Sequence, residues 1–413
     1  MAATDEPATD GNSVLDLLRP KATGGLVVSF AERAGRDEVS ALENAIGSGV
    51  RSVGLSDAAE INALDSEPAL VFEELGVAFV SERFGLEATS SIRAKLMDTE
   101  CVQNVRPEFY MFAIETFGDT AEATWGVRAV GALDSPQRIE ERGEGIRLAV
   151  LDTGLDLTHP DFAGRNIVQR SFVPGQGVQD GHGHGTHCAG TAAGGRAAQS
   201  QFRYGIASNA ELYVGKVLNN AGSGRERDII AGMIWAIQQR CAVVSMSLGR
   251  PVQPGEEPAP EYERIGRLAL QQGSLLIAAA GNESSRRYGF IAPVGAPANA
   301  PSIMAVAAVD QSLEVAEFSC GAINPGGGEI DIAGPGVGIL SATPQPELYR
   351  KMQGTSMACP HVAGVAALWA ETDPELRGQA LWDKLTGTAR GLDAPARDVG
   401  AGLVQAPQGQ AGV

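Results

Sequence analysis

Five short apolar runs, at residues 146–151, 212–217, 243–247, 275–280 and 303–309, constrain this chain more than any other feature. Apart from an occasional charge they are apolar on both faces, the pattern of strands buried within a sheet. Between and beyond them lie longer stretches with helical spacing, near 229–239, 261–272, 356–371 and 374–389. Apolar strands alternating with helices specify an α/β layered domain around a mostly parallel central sheet. In such a sheet, side chains that do chemistry gather at the carboxyl ends of the strands.

Three side chains stand at a strand end or a helix start. Asp152 ends the run 146–151 and opens Asp152-Thr153-Gly154. His184 lies in Gly181-His182-Gly183-His184-Gly185-Thr186-His187-Cys188, with a glycine on each side that leaves its ring room to reach a neighbour. Ser356 lies in Gly354-Thr355-Ser356-Met357-Ala358, where an apolar helix begins. Backbone N–H groups are free at a helix start and favour developing negative charge. A hydroxyl, an imidazole and a carboxylate are the parts of a nucleophile, its base and an orienting acid. Taken singly each has a plainer explanation: an Asp before Gly is ordinarily a turn residue, and a Gly-x-Ser at a helix start is ordinarily a cap. Ala358 also stands where a Gly-x-Ser-x-Gly elbow needs its second glycine.

Taken together and in chain order, Asp-Thr-Gly, His-Gly-Thr-His-Cys-Ala-Gly and Gly-Thr-Ser-Met-Ala-Cys-Pro-His (ending at His361) resemble the subtilisin-like serine proteases, or subtilases. The resemblance covers about residues 120–407. It implies a subtilisin-like three-layer domain and a serine endopeptidase that forms an acyl-enzyme on Ser356, with His184 as base, Asp152 as its orienting acid, and no metal or organic cofactor. Asn282, in Gly281-Asn282-Glu283, matches the oxyanion-stabilising asparagine, with the Ser356 N–H as second donor. The resemblance further implies that substrate lies extended between Gly222-Ser223-Gly224 and Ser247-Leu248-Gly249, where glycines let backbones approach. The pocket for the residue before the cut would be walled by Ser247-Leu248-Gly249 and Ala279-Ala280-Gly281, with Gly295 at its base and Glu283 near its rim. Small uncharged walls predict a preference for large apolar or aromatic side chains. Ala296-Pro297 matches a position where the family's proline is often cis.

The amino-terminal third has a separate character. Residues 1–24 are polar and without periodicity, and read as a flexible tail. Residues 25–112 predict a strand (25–30), a helix (36–46), a short strand (50–55), a strand pair (69–81), a helix (88–97) and a last strand (102–112). This is a ferredoxin-like α+β order. In element order, length and location it resembles the inhibitory propeptide of subtilases, which implies an intramolecular inhibitor. A linker at 113–124 separates it from the catalytic domain at 125–407, and a tail follows at 408–413. Self-cleavage is expected within 111–121. The alternative is a pseudo-protease or binding module whose amino-terminal domain stays docked.

Other chemistries fit less well. His182, His184 and His187 could suggest a metal hydrolase, but no His-Glu-x-x-His arrangement accompanies them. His187 and His361 are expected as packed helix residues, His159 and His182 as surface or loop ones. Cys188 follows His184 by one helical turn and Cys359 follows Ser356 by three residues, so thiol reagents are expected to inhibit although neither cysteine is the nucleophile. The segment 194–203, where many subtilases hold calcium, carries two arginines and no carboxylate, and calcium is not expected there. Acidic residues outnumber basic ones 50 to 32, for a net charge of −18, which argues against a nucleic-acid partner. No stretch has the length and apolarity of a membrane span. The first residues lack the basic and apolar regions of a secretory signal, and the five cysteines lack framework spacing. Both favour the cytoplasm, with secretion as the alternative. The proline-rich segment 251–260 is expected as an exposed loop beside the cleft.

Overall fold

The computed structural model describes residues 22–55, 64, 66–113, 125–132, 143–195 and 203–408. Its amino-terminal part runs β1 (Ala22–Phe30), α1 (Arg36–Ile46), β2 (Arg51–Val53), β3 (Ala69–Phe72), β4 (Val77–Val80), α2 (Gly85–Met97) and β5 (Val102–Ala113). The strands lie side by side in the order β5-β1-β4-β3-β2. All neighbours are antiparallel except β2 and β3. Without β2 this is the ferredoxin-like arrangement, and β2 is an added parallel edge.

Strand alternation gives this sheet two apolar faces. Leu26, Val28 and Phe30 turn toward α1 and α2 and pack with Leu42, Ile46, Ile92 and Leu96. Val27, Leu70, Phe72, Val77 and Phe79 turn the other way, into a core shared with the rest of the chain. Standing alone, the region would therefore leave an apolar sheet face in water.

The larger part continues with α3 (Trp125–Ala129), β6 (Arg147–Asp152), β7 (Val168–Ser171), α4 (His184–Ala193), β8 (Glu211–Lys216), β9 (Ser223–Arg225), α5 (Glu226–Gln238), β10 (Val243–Met246), β11 (Leu248–Gly249), α6 (Pro260–Gln271), β12 (Leu275–Ala279), β13 (Met304–Val309), β14 (Ile332–Pro335), β15 (Ile339–Ala342), β16 (Tyr349–Met352), α7 (Thr355–Thr372), α8 (Gln379–Gly387) and α9 (Ala396–Val399). Its central sheet has the order β14-β13-β12-β10-β6-β8-β7, and every pairing in it is parallel. Residues of α5 and α6 share one core with the amino-terminal sheet, whereas α4 and α7 cover the opposite face. The five apolar runs are β6, β8, β10, β12 and β13, and the three layers are those expected of the fold.

The differences from the sequence expectation have local causes. The edge strand β7 is polar, and β14 contains Gly334 and Pro335, so neither shows as an apolar run. Helix α8 starts at Gln379 rather than at 374, because Gly378 takes φ 51° and Arg377 caps the carbonyls of Ala370 and Leu376. The loop 251–260 is only partly exposed: Val252 and Ala259 are buried, and Glu256 is anchored by Arg250 at 2.8 Å. Among the described residues, no helix is long and apolar enough to cross a membrane.

Candidate active site

Asp152 is the last residue of β6, a strand flanked by β10 and β8, and is 1% exposed. Its Oδ1 accepts from the Thr153 N–H at 2.7 Å and from His184 Nδ1 at 2.8 Å. A carboxylate oxygen can only accept here, so His184 carries its proton on Nδ1, and in the neutral ring Nε2 is the basic nitrogen. That Nε2 is buried and has no hydrogen-bond partner among the described residues. Burial alone would lower the His184 pKa, but the Asp152 carboxylate and its hydrogen bond outweigh burial and raise it.

His184 is the first residue of α4, and the turn before it is held by Asp180. Asp180 Oδ1 accepts from the N–H groups of His182 and Gly183 and from the Thr153 hydroxyl, and its Oδ2 accepts from the Thr186 N–H and hydroxyl. Although burial opposes ionisation, these donors hold the Asp180 carboxyl below its usual range. The sequence reading overlooked this residue; its position at the head of the glycine-rich stretch was the available signal. The role of Gly185 is also different from expected. A Cβ there would lie 2.3 Å from the Gly154 carbonyl, so the glycine serves close contact between helix and turn rather than ring movement.

Ser356 enters α7 at the second residue and is fully buried. Its Oγ donates to the Ser247 carbonyl at 3.5 Å, while the Ser247 hydroxyl donates to the Ser356 carbonyl at 2.7 Å. The sulfur of Cys188 bridges the two halves of the site, 3.8 Å from His184 Nδ1 and 3.6 Å from the Ser356 carbonyl. The described hydrogen bonds thus join Asp152 to His184 and Ser356 to Ser247; no hydrogen bond joins Ser356 Oγ to His184 Nε2. Asn282 follows β12, and its Oδ1 accepts from the N–H and hydroxyl of Thr355, both at 2.9 Å. With its oxygen committed to Thr355, the amide's donor end faces elsewhere.

The two segments expected to flank a substrate do flank an extended chain, and that chain is β5. Tyr110, Met111 and Phe112 pair antiparallel with Arg225, Gly224 and Ser223, while Phe112 and Ala113 pair antiparallel with Gly249 and Leu248. Glycine at 224 is required, because a Cβ would come within 2.2 Å of the Val217 carbonyl. Ala279 ends β12, Ala280 and Gly281 follow it, and the Gly295 N–H donates to the Ala280 carbonyl at 2.9 Å. Glu283 accepts from the Cys320 thiol at 3.1 Å, and burial raises its pKa.

A profile of the subtilase family matches residues 143–402. M-protease of Shouchella clausii is 39% identical over 283 residues, 68% of each chain. Subtilisin Savinase of Lederbergia lenta is 38% identical over 68% of this chain and 96% of its own, and subtilisin E of Bacillus subtilis is 41% identical over 60% and 61%. The chain belongs to the subtilase family. It is a subtilisin-like serine endopeptidase.

Around the subtilase site, other expectations resolve in detail. His187 and His361 are packed within helices, with burial pushing their pKa values down to about 3 and about 4. His182 is exposed, as expected. His159 is a correction: it sits in a loop but is fully buried, because Nε2 donates to the Leu348 carbonyl and the ring packs on Phe162 and Tyr349. Ligand atoms of Asp152, His184 and Cys188 lie within 4.8 Å of one another, but burial holds the Cys188 thiol far above its usual pKa, in the neutral form that ligates metals poorly. Cys359 is directed to Ser245 and the Ile277 carbonyl. The Ala296–Pro297 bond is cis. Residues 196–202 of the calcium-loop expectation and 114–121 of the processing window lie outside the described residues.

Sequence reading also missed the groups that clamp β5 down. Arg106 donates to Glu226 at 2.7 and 3.2 Å and pairs with Glu261, and the Phe109 N–H donates to Glu226 at 2.8 Å. The Arg250 guanidinium lies 4.6 Å over the Phe109 ring, and Arg264 holds the neighbouring β1 and the β3–β4 turn through the carbonyls of Phe30, Leu75 and Gly76. The signal available was the acid in the first turn of α5 and of α6.

Proposed function

We propose that this endopeptidase works through Asp152, His184 and Ser356, and that residues 22–113 are its own inhibitor until it cuts them away. The supporting observation is the run of β5 between β9 and β11, toward Ser247, whose carbonyl accepts the Ser356 hydroxyl. A chain seated there presents its main-chain carbonyls to the nucleophile as a substrate would. His184 Nε2 takes the Ser356 proton as Oγ attacks, then returns it to the leaving amine; Asp152 keeps the ring in the required tautomer and stabilises its charged form. Asn282 Nδ2 and the Ser356 N–H stabilise the oxyanion, and water hydrolyses the acyl-enzyme.

Along β5, Phe112 faces Gly249 and Ala113 faces Leu248. Each residue toward the carboxyl end advances one step back along the partner, and the next step is Ser247. The cut is therefore expected at the Ile114–Glu115 bond, within the window read from the sequence. An isoleucine before the cut agrees with a pocket of small walls that takes large apolar side chains. Four of the free thiols are buried and Cys101 is half-buried, and together they do not assign a compartment; the cytoplasmic reading has no support, and export is equally compatible. A permanently docked binding module is the weaker reading, since Asp152, His184, Asn282 and Ser356 are all present.

The test is intact mass after expression of the wild type and of Ser356→Ala. Loss of the first 114 residues in the wild type alone supports self-processing; identical full-length masses remove it. Labelling by a fluorophosphonate that disappears in Ser356→Ala tests the nucleophile separately.

A further inference from the structure

We propose that Glu226 and Glu261, once residues 22–113 have left, form a cation-accepting exosite continuous with the cleft, which takes an arginine of an extended protein substrate. The inference rests on the processing read above. Both carboxylates are 0% exposed as side chains and belong to the protease layer, each in the first turn of its helix. Helix starts favour negative charge. Their present occupant is the Arg106 guanidinium, supplied by the removable region.

The donors divide unevenly. Glu226 accepts from Arg106, the Phe109 N–H and the Tyr262 hydroxyl, while Glu261 accepts from the Ser29 hydroxyl and forms an ion pair with Arg106. Of these only Tyr262 remains with the protease after processing. Glu226 and Glu261 would then face water with one protein donor between them, and an incoming guanidinium restores the ion pairs that Arg106 made. A planar, always charged fork with five donors suits the pair better than a point charge.

Position links the pair to catalysis. β9 runs directly into α5, so the strand that seats the substrate leads to Glu226. Arg106 lies five residues before Met111, the residue facing Gly224. An extended substrate in the same register places its own side chain at that distance. On the protease side Arg250, Glu256 and Pro258 line the space beside the ion pairs, which opens fully once β5 leaves.

The test uses enzyme matured from the full chain and two peptides copying residues 103–121, one with the arginine of position 106 and one with glutamine there. Both are cut at the same bond, identified by product mass. The wild type is expected to favour the arginine peptide in kcat/KM on the order of tenfold, carried by KM, as befits a bidentate charged hydrogen bond. In Glu261→Gln the ratio is expected to fall toward one; it is internal to each enzyme, so a lower folded fraction does not alter it. If that variant gives no active enzyme, Glu226→Gln supplies the ratio. A ratio of one in the wild type, or one undiminished by either substitution, overturns the exosite alone. Failure to cut either peptide overturns the peptidase reading and the exosite with it.

Discussion

Glu108 offers the sharpest test of how the amino-terminal region is held. It is buried on β5; its Oε2 accepts from the Thr23 hydroxyl at 2.7 Å, and its Oε1 has no partner among the described residues. Burial pushes its pKa up to about 8, aided by the charges of Glu226 and Glu82 and opposed by Thr23 and Arg225. In the unfolded chain the carboxyl returns to about 4.5. The folded state therefore keeps a proton that the unfolded state releases. Stability is whole below about 4.5, declines as pH rises, and stops declining above about 8. Between pH 5 and pH 8 this amounts to on the order of 3 kcal/mol. Glu108→Gln, made in the Ser356→Ala chain so that processing does not intervene, keeps an acceptor for Thr23 and cannot ionise. Urea denaturation followed by circular dichroism should find the two chains similar at pH 5 and the glutamine chain more stable at pH 8. Comparing them at each pH cancels every other titration. Parallel profiles, with one constant offset at both pH values, would refute the argument.

Three further outcomes are expected. Because Asp152 raises the His184 pKa and catalysis needs the neutral ring, the acid limb of kcat/KM lies above the ordinary imidazole value of 6.5; Asp152→Asn should move it down and lower kcat on the order of 10⁴-fold, and an unmoved limb counts against the pairing. Asn282→Ala should reduce kcat on the order of 10²–10³-fold with little change in KM, a magnitude taken from a subtilisin rather than from this chain; a loss confined to KM would make Asn282 a binding residue instead. Gly224→Val forces a Cβ against the Val217 carbonyl, so peptide kcat/KM should fall at least about tenfold through displacement of β9, an overpacking effect of about 1–3 kcal/mol; unaltered kinetics would show that β9 does not seat the substrate.

Legibility differed sharply between the three motif residues and the groups that hold β5. Asp152, His184 and Ser356 each sit where a local pattern changes, at a strand end or a helix start, and three such changes in one order are hard to mistake. The interface charges have no such marker. Arg106 and Glu226 lie 120 residues apart, and a glutamate in a first helical turn looks locally like any solvated helix start. The same holds for His159, whose loop setting suggested the surface although three aromatic and main-chain partners enclose it.

By itself the sequence determined the layered α/β architecture, the ferredoxin-like order ahead of it and the three subtilase motifs, because apolar periodicity and backbone-dictated motifs act over a few residues. Only the tertiary structure decided that β5 fills the cleft, that Ser356 Oγ meets Ser247 rather than His184, and that two helix-start carboxylates close on one arginine. Those outcomes depend on burying charges and sheet faces contributed by distant segments, and such energies exist only once the segments meet.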